Sequence, residues 1–173
     1  FNPPELMPLV EVVPSPTASS AAVDRAVEVY ESLGRTPVVI GKEIPGFVAN
    51  RLQGVISREA RYLVQQGVVT PGQLDTILQN SLGLRWSTIG LFEGNVLGGG
   101  PGGIRHLISG VGATTGAIEY HSPATDAESM EQLITDVEET YGSGDETYKK
   151  LRERRDTRTR AVLGALKECD DHE

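Results

Sequence analysis

Four side chains in this sequence have the types and settings that do chemistry on a small oxygenated substrate. Glu11 is the only charge in the run Pro8-Leu9-Val10-Glu11-Val12-Val13. A carboxylate in so apolar a run must be paired, protonated or turned to solvent. It reads either as an outward-facing edge-strand residue or as a carboxylate that orients an imidazole base. Asn50 follows the break Pro45-Gly46 and falls in the first turns of a helix, where backbone N–H groups are unpaired and the helix dipole is positive. It reads either as a partner of neighbouring backbone or as a contact to a ligand at a domain junction. Arg85 and Trp86 are adjacent between glycines. Arg85 suits a two-pronged grip on a carboxylate. Trp86, the only tryptophan, offers a wall for an apolar group or a cation, or else fills a core.

The elements that must hold these residues follow from pattern. Leu9 to Val13, bounded by prolines, predicts a buried strand of an α/β sheet. Ser15-Pro16-Thr17-Ala18 starts a helix, with Thr17 or a nearby Ser as N-cap. Val23, Ala26, Val27, Tyr30 and Leu33 form its apolar stripe, and Gly34 ends it. Thr36 to Ile40 is a second strand. From Phe47 to Gln66 apolar residues recur at three- and four-residue steps, a helix of about twenty residues and roughly 30 Å. Thr70-Pro71 caps the next helix, with Leu74, Ile77 and Leu78 inward. Asn95 to Gly103 is glycine-rich but has no Gly-Lys-Ser/Thr and no preceding strand, so it is a connection allowing close backbone approach, not a phosphate cradle. A short helix begins at Ile104, an acidic amphipathic helix covers Asp126 to Thr140, and a charged one Tyr148 to Leu166. The basic run from Lys149-Lys150 to Arg160 reads as a solvated helix face, with a subunit contact second.

Composition excludes several classes. The 173 residues carry a net charge of −8, which argues against a nucleic-acid or anionic-membrane surface. No stretch approaches the roughly 20 apolar residues of a membrane span. The one cysteine, Cys169, lies in a polar tail and excludes an internal disulfide framework. His106, His121 and His172 have no partners at metal-ligand spacing, so no metal is expected. A cytoplasmic or organellar-matrix setting fits. The chain starts at Phe1-Asn2-Pro3-Pro4, already inside a turn, and is expected to be a piece of a longer protein.

Two segments carry a resemblance. Phe1-Asn2-Pro3-Pro4 followed by Leu9-Val10-Glu11-Val12 resembles the end of the His-x-Phe-Asn-Pro…Leu-Val-Glu-Val motif of the 3-hydroxyacyl-CoA dehydrogenase family. Pro45-Gly46-Phe47-Val48-Ala49-Asn50-Arg51 resembles that family's Pro-Gly-Phe-(Ile/Val)-x-Asn-Arg motif. Gly83 to Glu93 stands where the family has Gly-x-Gly…Gly-Pro-x-Glu, and the likeness fades beyond about Leu107. It implies a mainly α fold: a helical C-terminal dehydrogenase domain at 45–173, preceded at 1–44 by a β-α-β remnant of a Rossmann domain. It also implies NAD as cofactor, held mostly by sequence upstream of Phe1, and a homodimer through the helical domain.

In that family the motif His takes the hydroxyl proton as hydride leaves for NAD. By resemblance Glu11 orients that His, Asn50 contacts the substrate near the reacting carbon, and Asn2 belongs to the same loop. The motif His itself would fall two positions before Phe1, so this piece alone is expected to be inactive. Arg85, and Leu91 in place of a usual Pro, are closer to the small 3-hydroxy-acid branch that includes the L-gulonate (λ-crystallin) and carnitine 3-dehydrogenases. Either substrate has a carboxylate for Arg85, and carnitine adds a quaternary ammonium for Trp86. The alternatives are a 3-hydroxyacyl-CoA dehydrogenase of fatty-acid β-oxidation and, in another class, a non-catalytic helical dimerisation module.

Overall fold

Leu9–Val12 forms β1, which pairs in parallel with β2, Thr36–Val39, so that Glu11 lies beside Val38. A parallel pair needs a crossover, and α1, Ser20–Ser32, supplies it. Of the expected caps, Thr17 or a nearby Ser, it is Ser19 that serves: its hydroxyl accepts the Ala22 N–H. Gly34 ends the helix at φ +69°, a conformation that costs glycine little. The pieces come from a computed structural model that describes residues 2–110 and 118–170. Phe1 and His172 lie outside the described residues. By its contacts the chain divides into two compact units, Phe1–Ile56 and Ser57–Glu173. The division falls inside α2, Ala49–Gln65, whereas the expected domain boundary at 44/45 lies in the loop before that helix.

Two expectations about burial in the first unit are corrected. β1 is half-buried along its whole length, not buried. A two-stranded sheet with one helix against it covers too little surface to enclose a strand. The apolar stripe of α1 is likewise open: Tyr30 and Leu33 are exposed, and no residue of the helix is fully buried.

The second unit is helical. Thr70 and Pro71 open α3, Pro71–Asn80, as the residue types predict: Thr70 Oγ1 accepts the Gln73 N–H while the Gln73 side chain accepts the Thr70 N–H. Next come α4, Leu82–Trp86, and α5, Leu91–Gly98. A 3₁₀ turn at Gly100–Gly102 leads to α6, Gly103–Ser109. The glycine-rich stretch is therefore helix up to Gly98, and only the remainder is a connection. There the expected close approach is real: a Cβ on Gly99 would lie 1.8 Å from the Gly103 carbonyl oxygen. Asp126 caps α7, Ala127–Tyr141, and α8 runs from Asp145 to Asp170.

The C-terminal half of α2, α3 and α7 form the seam of this unit. Val64 and Leu133, each 8% exposed, are its buried hydrophobic residues among those described. The Gln65 side-chain amide both donates to Ala124 O and accepts from Ala124 N–H, tying the chain before α7 to α2. The Tyr62 and His121 rings lie 5.3 Å apart, so His121 packs on an aromatic ring. Ile77, expected inward, is exposed. Cys169 is exposed and unbridged. Among the described residues no helix is long and apolar enough to cross a membrane, and no cluster of His, Cys, Asp or Glu could hold a metal ion.

Candidate active site

The loop Ile44–Phe47 sets up the site. Phe47 N–H donates to Ile44 O at 2.9 Å, closing a tight turn. Gly46 at φ +80° and Phe47 at φ +48° both take left-handed backbone. For Phe47, which carries a side chain, this costs about 1–2 kcal/mol. The turn brings the chain into α2 with the N–H groups of Val48 and Ala49 pointing at β1. Glu11 Oε1 accepts both, at 2.8 Å from Val48 and 3.2 Å from Ala49. A carboxylate at the positive end of a helix is favourable and satisfies donors that the helix itself cannot. Glu11 is half-buried and is neither turned to solvent nor unpaired. Its Oε2 has no hydrogen-bond partner among the described residues.

Asn50 is the second residue of α2, directly after Ala49, whose N–H Glu11 accepts. Asn2, Glu11 and Asn50 line one cavity of about 620 Å³, together with Leu9, Val10, Phe47 and Gln53. Glu11 is the only ionisable group of this lining; the remaining polar groups are the three side-chain amides. Such a wall suits a neutral hydroxyl or carbonyl, with amide N–H groups to donate and one carboxylate to orient a base. The structure thus brings Asn2, Glu11 and Asn50 together, all within the first unit. Arg51 sits outside the lining, and its Nη1 donates to Pro45 O at 3.5 Å. Gln53 is the polar residue that the sequence reading passes over. It lies three positions after Asn50, a spacing that puts both on one helix face.

Arg85 and Trp86 lie on α4 in the second unit and are not part of this lining. Arg85 is exposed, with its side chain in no ion pair among the described residues. Trp86 is 40% exposed, too open for the core residue it was one reading to be.

Comparison with known proteins places these features. Residues 46–150 match the 3-hydroxyacyl-CoA dehydrogenase C-terminal domain, and residues 1–44 match the NAD binding domain of the same family. An L-carnitine dehydrogenase of Pseudomonas syringae pv. syringae is 41% identical over 169 residues, covering 96% of this chain and 52% of the relative. A 3-hydroxyacyl-CoA dehydrogenase of Gibberella moniliformis is 48% identical over 102 residues, covering 59% of this chain and 32% of the relative. The chain spans about half the length of the curated relatives it matches along most of its own length. Among solved structures, 5-formyl-3-hydroxy-2-methylpyridine 4-carboxylic acid 5-dehydrogenase, an NAD+ dependent dismutase, superposes with a TM-score of 0.72. It is 24% identical, and the match covers 96% of this chain and 54% of that one. At that identity the likeness speaks for the fold alone.

Proposed function

The chain belongs to the 3-hydroxyacyl-CoA dehydrogenase family, and from that premise we propose that it is part of an NAD-dependent dehydrogenase that oxidises the 3-hydroxyl of a small free acid. The observation that carries this reading is the shared cavity of Glu11 and Asn50, with Glu11 holding the helix on which Asn50 stands. In this reading the unpaired Oε2 of Glu11 accepts from an imidazole two residues before Phe1, fixing the tautomer that takes the hydroxyl proton. The Asn50 amide donates to the oxygen as it becomes a carbonyl. Asn2 borders the same space from the β1 side.

The main NAD contacts fall outside these residues. The turn from β1 into α1 reads Val13-Pro14-Ser15-Pro16-Thr17, with no glycine to admit a pyrophosphate against the backbone. NAD, when bound, supplies the acceptor for the hydride that leaves the carbinol carbon. Within this chain the work is orientation: Glu11 sets the base, and Asn50 the oxygen.

Arg85 and Trp86 are the proposed substrate contacts, Arg85 for the carboxylate and Trp86 for a quaternary ammonium. Support comes from their exposure and from the L-carnitine dehydrogenases among the relatives. A homodimer through the helical unit belongs to the same proposal. Leu84, Phe92, Leu97 and Ile108, on α4, α5 and α6, are each more than half exposed, and a second copy would cover them. The Gibberella relative favours a second reading, with a CoA ester as substrate. Full-length protein offered carnitine, L-gulonate and 3-hydroxybutyryl-CoA separately, with NAD reduction followed under the same conditions for each, separates the two. Turnover of a free acid is expected, and turnover of the CoA ester alone would overturn the small-acid reading.

A further inference from the structure

The basic run on α8 is exposed to solvent, as its composition predicts, and part of it also lines a cleft. Tyr148, Leu151, Arg152, Arg155, Arg158 and Thr159 recur at three- and four-residue steps and so share one face of the helix. With Arg154, this face lines a cleft of about 640 Å³ whose other wall is Asp75 and Gln79 of α3 and Tyr141 of α7. These exposed arginines lie around one concavity, where their fields add. The two acidic neighbours are already engaged. Asp75 Oδ2 accepts the Tyr141 hydroxyl, and Asp156 pairs with Arg155 at 2.7 Å. Arg152 lies over the Tyr148 ring, its guanidinium carbon 5.8 Å from the centroid, which fixes its position without neutralising it. Arg152, Arg154 and Arg158 have no ion-pair partner among the described residues. Four guanidinium groups and one carboxylate, Asp75, belong to the lining, which is therefore positive in a chain of net charge −8.

We infer that this cleft binds a compact dianion of the phosphate-monoester class, apart from the cavity of Glu11 and Asn50. Arginine is the side chain suited to it, because its planar fork gives two parallel donors to adjacent phosphate oxygens. A positive lining suits a phosphate monoester, which carries close to two negative charges at neutral pH, and the open mouth admits a group carried on a larger molecule. Thr159 and Gln79 add neutral donors at the rim.

The test is calorimetric titration of the whole chain with inorganic phosphate at constant ionic strength, with chloride as the reference anion. Saturable binding of phosphate beyond chloride is expected. The double variant Arg154→Gln/Arg158→Gln should weaken it about tenfold or more, the effect of losing charge-assisted bonds. Lys149→Gln/Lys150→Gln removes the same charge from residues outside the lining and should leave the affinity within about twofold, since only diffuse screening changes. Should the arginine double variant fail to fold, Arg158→Gln alone, at an exposed side chain, gives the same reading. Absence of saturable phosphate binding overturns the inference. So does equal weakening by the lysine and arginine pairs, which would mean a diffuse field and no site.

Discussion

Glu11 and Val48 are 37 positions apart in the chain, yet the Glu11 carboxylate accepts the Val48 N–H at 2.8 Å. One oxygen thereby ends the strand-borne half of the site and begins the helix-borne half. Glu11 is not the outward-facing edge-strand residue that one reading made it; holding the helix through Oε1 is compatible with the other reading, in which the carboxylate orients a base.

Two substitutions at Glu11 separate those jobs. Glu11→Gln keeps an oxygen that accepts from Val48 and Ala49 but loses the charge that sets an imidazole tautomer. In the full-length enzyme kcat should fall by about a hundredfold or more, with the thermal midpoint little changed. Glu11→Ala also strips the helix of its cap and should cost a further 1 kcal/mol or so in stability. Unchanged kcat in the Gln variant would remove Glu11 from the reaction.

Asn50 tests the donor side. Asn50→Asp replaces an amide donor by a second carboxylate in the cavity that already holds Glu11. Loss of the donor and repulsion of a developing oxyanion act together, and kcat/KM should fall by about a hundredfold or more. Because Asn50 is exposed, the unfolding midpoint should stay within a few degrees. A variant with full kcat and raised KM would make Asn50 a simple binding contact.

Local signals were the legible part of this sequence. Thr70-Pro71 with Gln73 announces a helix start because its hydrogen bonds close within four residues. The Pro45-Gly46 break likewise precedes a helix that begins at Ala49. The Glu11–Val48 bond was not legible, since nothing local tells a strand carboxylate which backbone groups it will meet. Burial was the weakest expectation. An apolar stripe such as that of α1 says that a face wants cover, not that this chain supplies it. The α8 arginines are exposed, as a charged run predicts, but nothing local told which of them share a cleft with α3.

Tyr141 ties α7 to α3 through its hydroxyl, which donates to Asp75 Oδ2 at 2.5 Å. That bond, and then burial, raises the phenol above its ordinary value of 10.0. A folded-state pKa above the unfolded one means that the contribution is complete below pH 10.0 and is lost as pH rises through the raised value. Tyr141→Phe should cost about 1 kcal/mol at neutral pH. It should also remove part of the alkaline fall in the unfolding midpoint. Equal alkaline slopes for the two proteins would disconnect this bond from stability.

The proposed dimer would use the exposed apolar surface of α4, α5 and α6, of which Phe92 is the most exposed member at 77%. Burying a phenylalanine is worth about 2–3 kcal/mol. Phe92→Asp forfeits that and brings a charge to the face, so the dimer constant should weaken by about a hundredfold or more. Light scattering across a dilution series reads this directly. A wild-type chain that is monomeric at every concentration ends the proposal.

Arg85 is the residue proposed to decide the substrate class. An exposed guanidinium without an ion-pair partner among the described residues holds a carboxylate in ground state and transition state alike. Its loss should therefore act on KM and spare kcat. For Arg85→Ala in the full-length enzyme, KM for a free acid should rise about tenfold or more, while KM for a CoA ester stays within about twofold. Arg85→Lys keeps the charge without the fork and should recover only part of the loss. If KM rises equally for both substrates, Arg85 acts on the helix that carries it and not on the acid. The carboxylate of the substrate would then need another partner in the second unit.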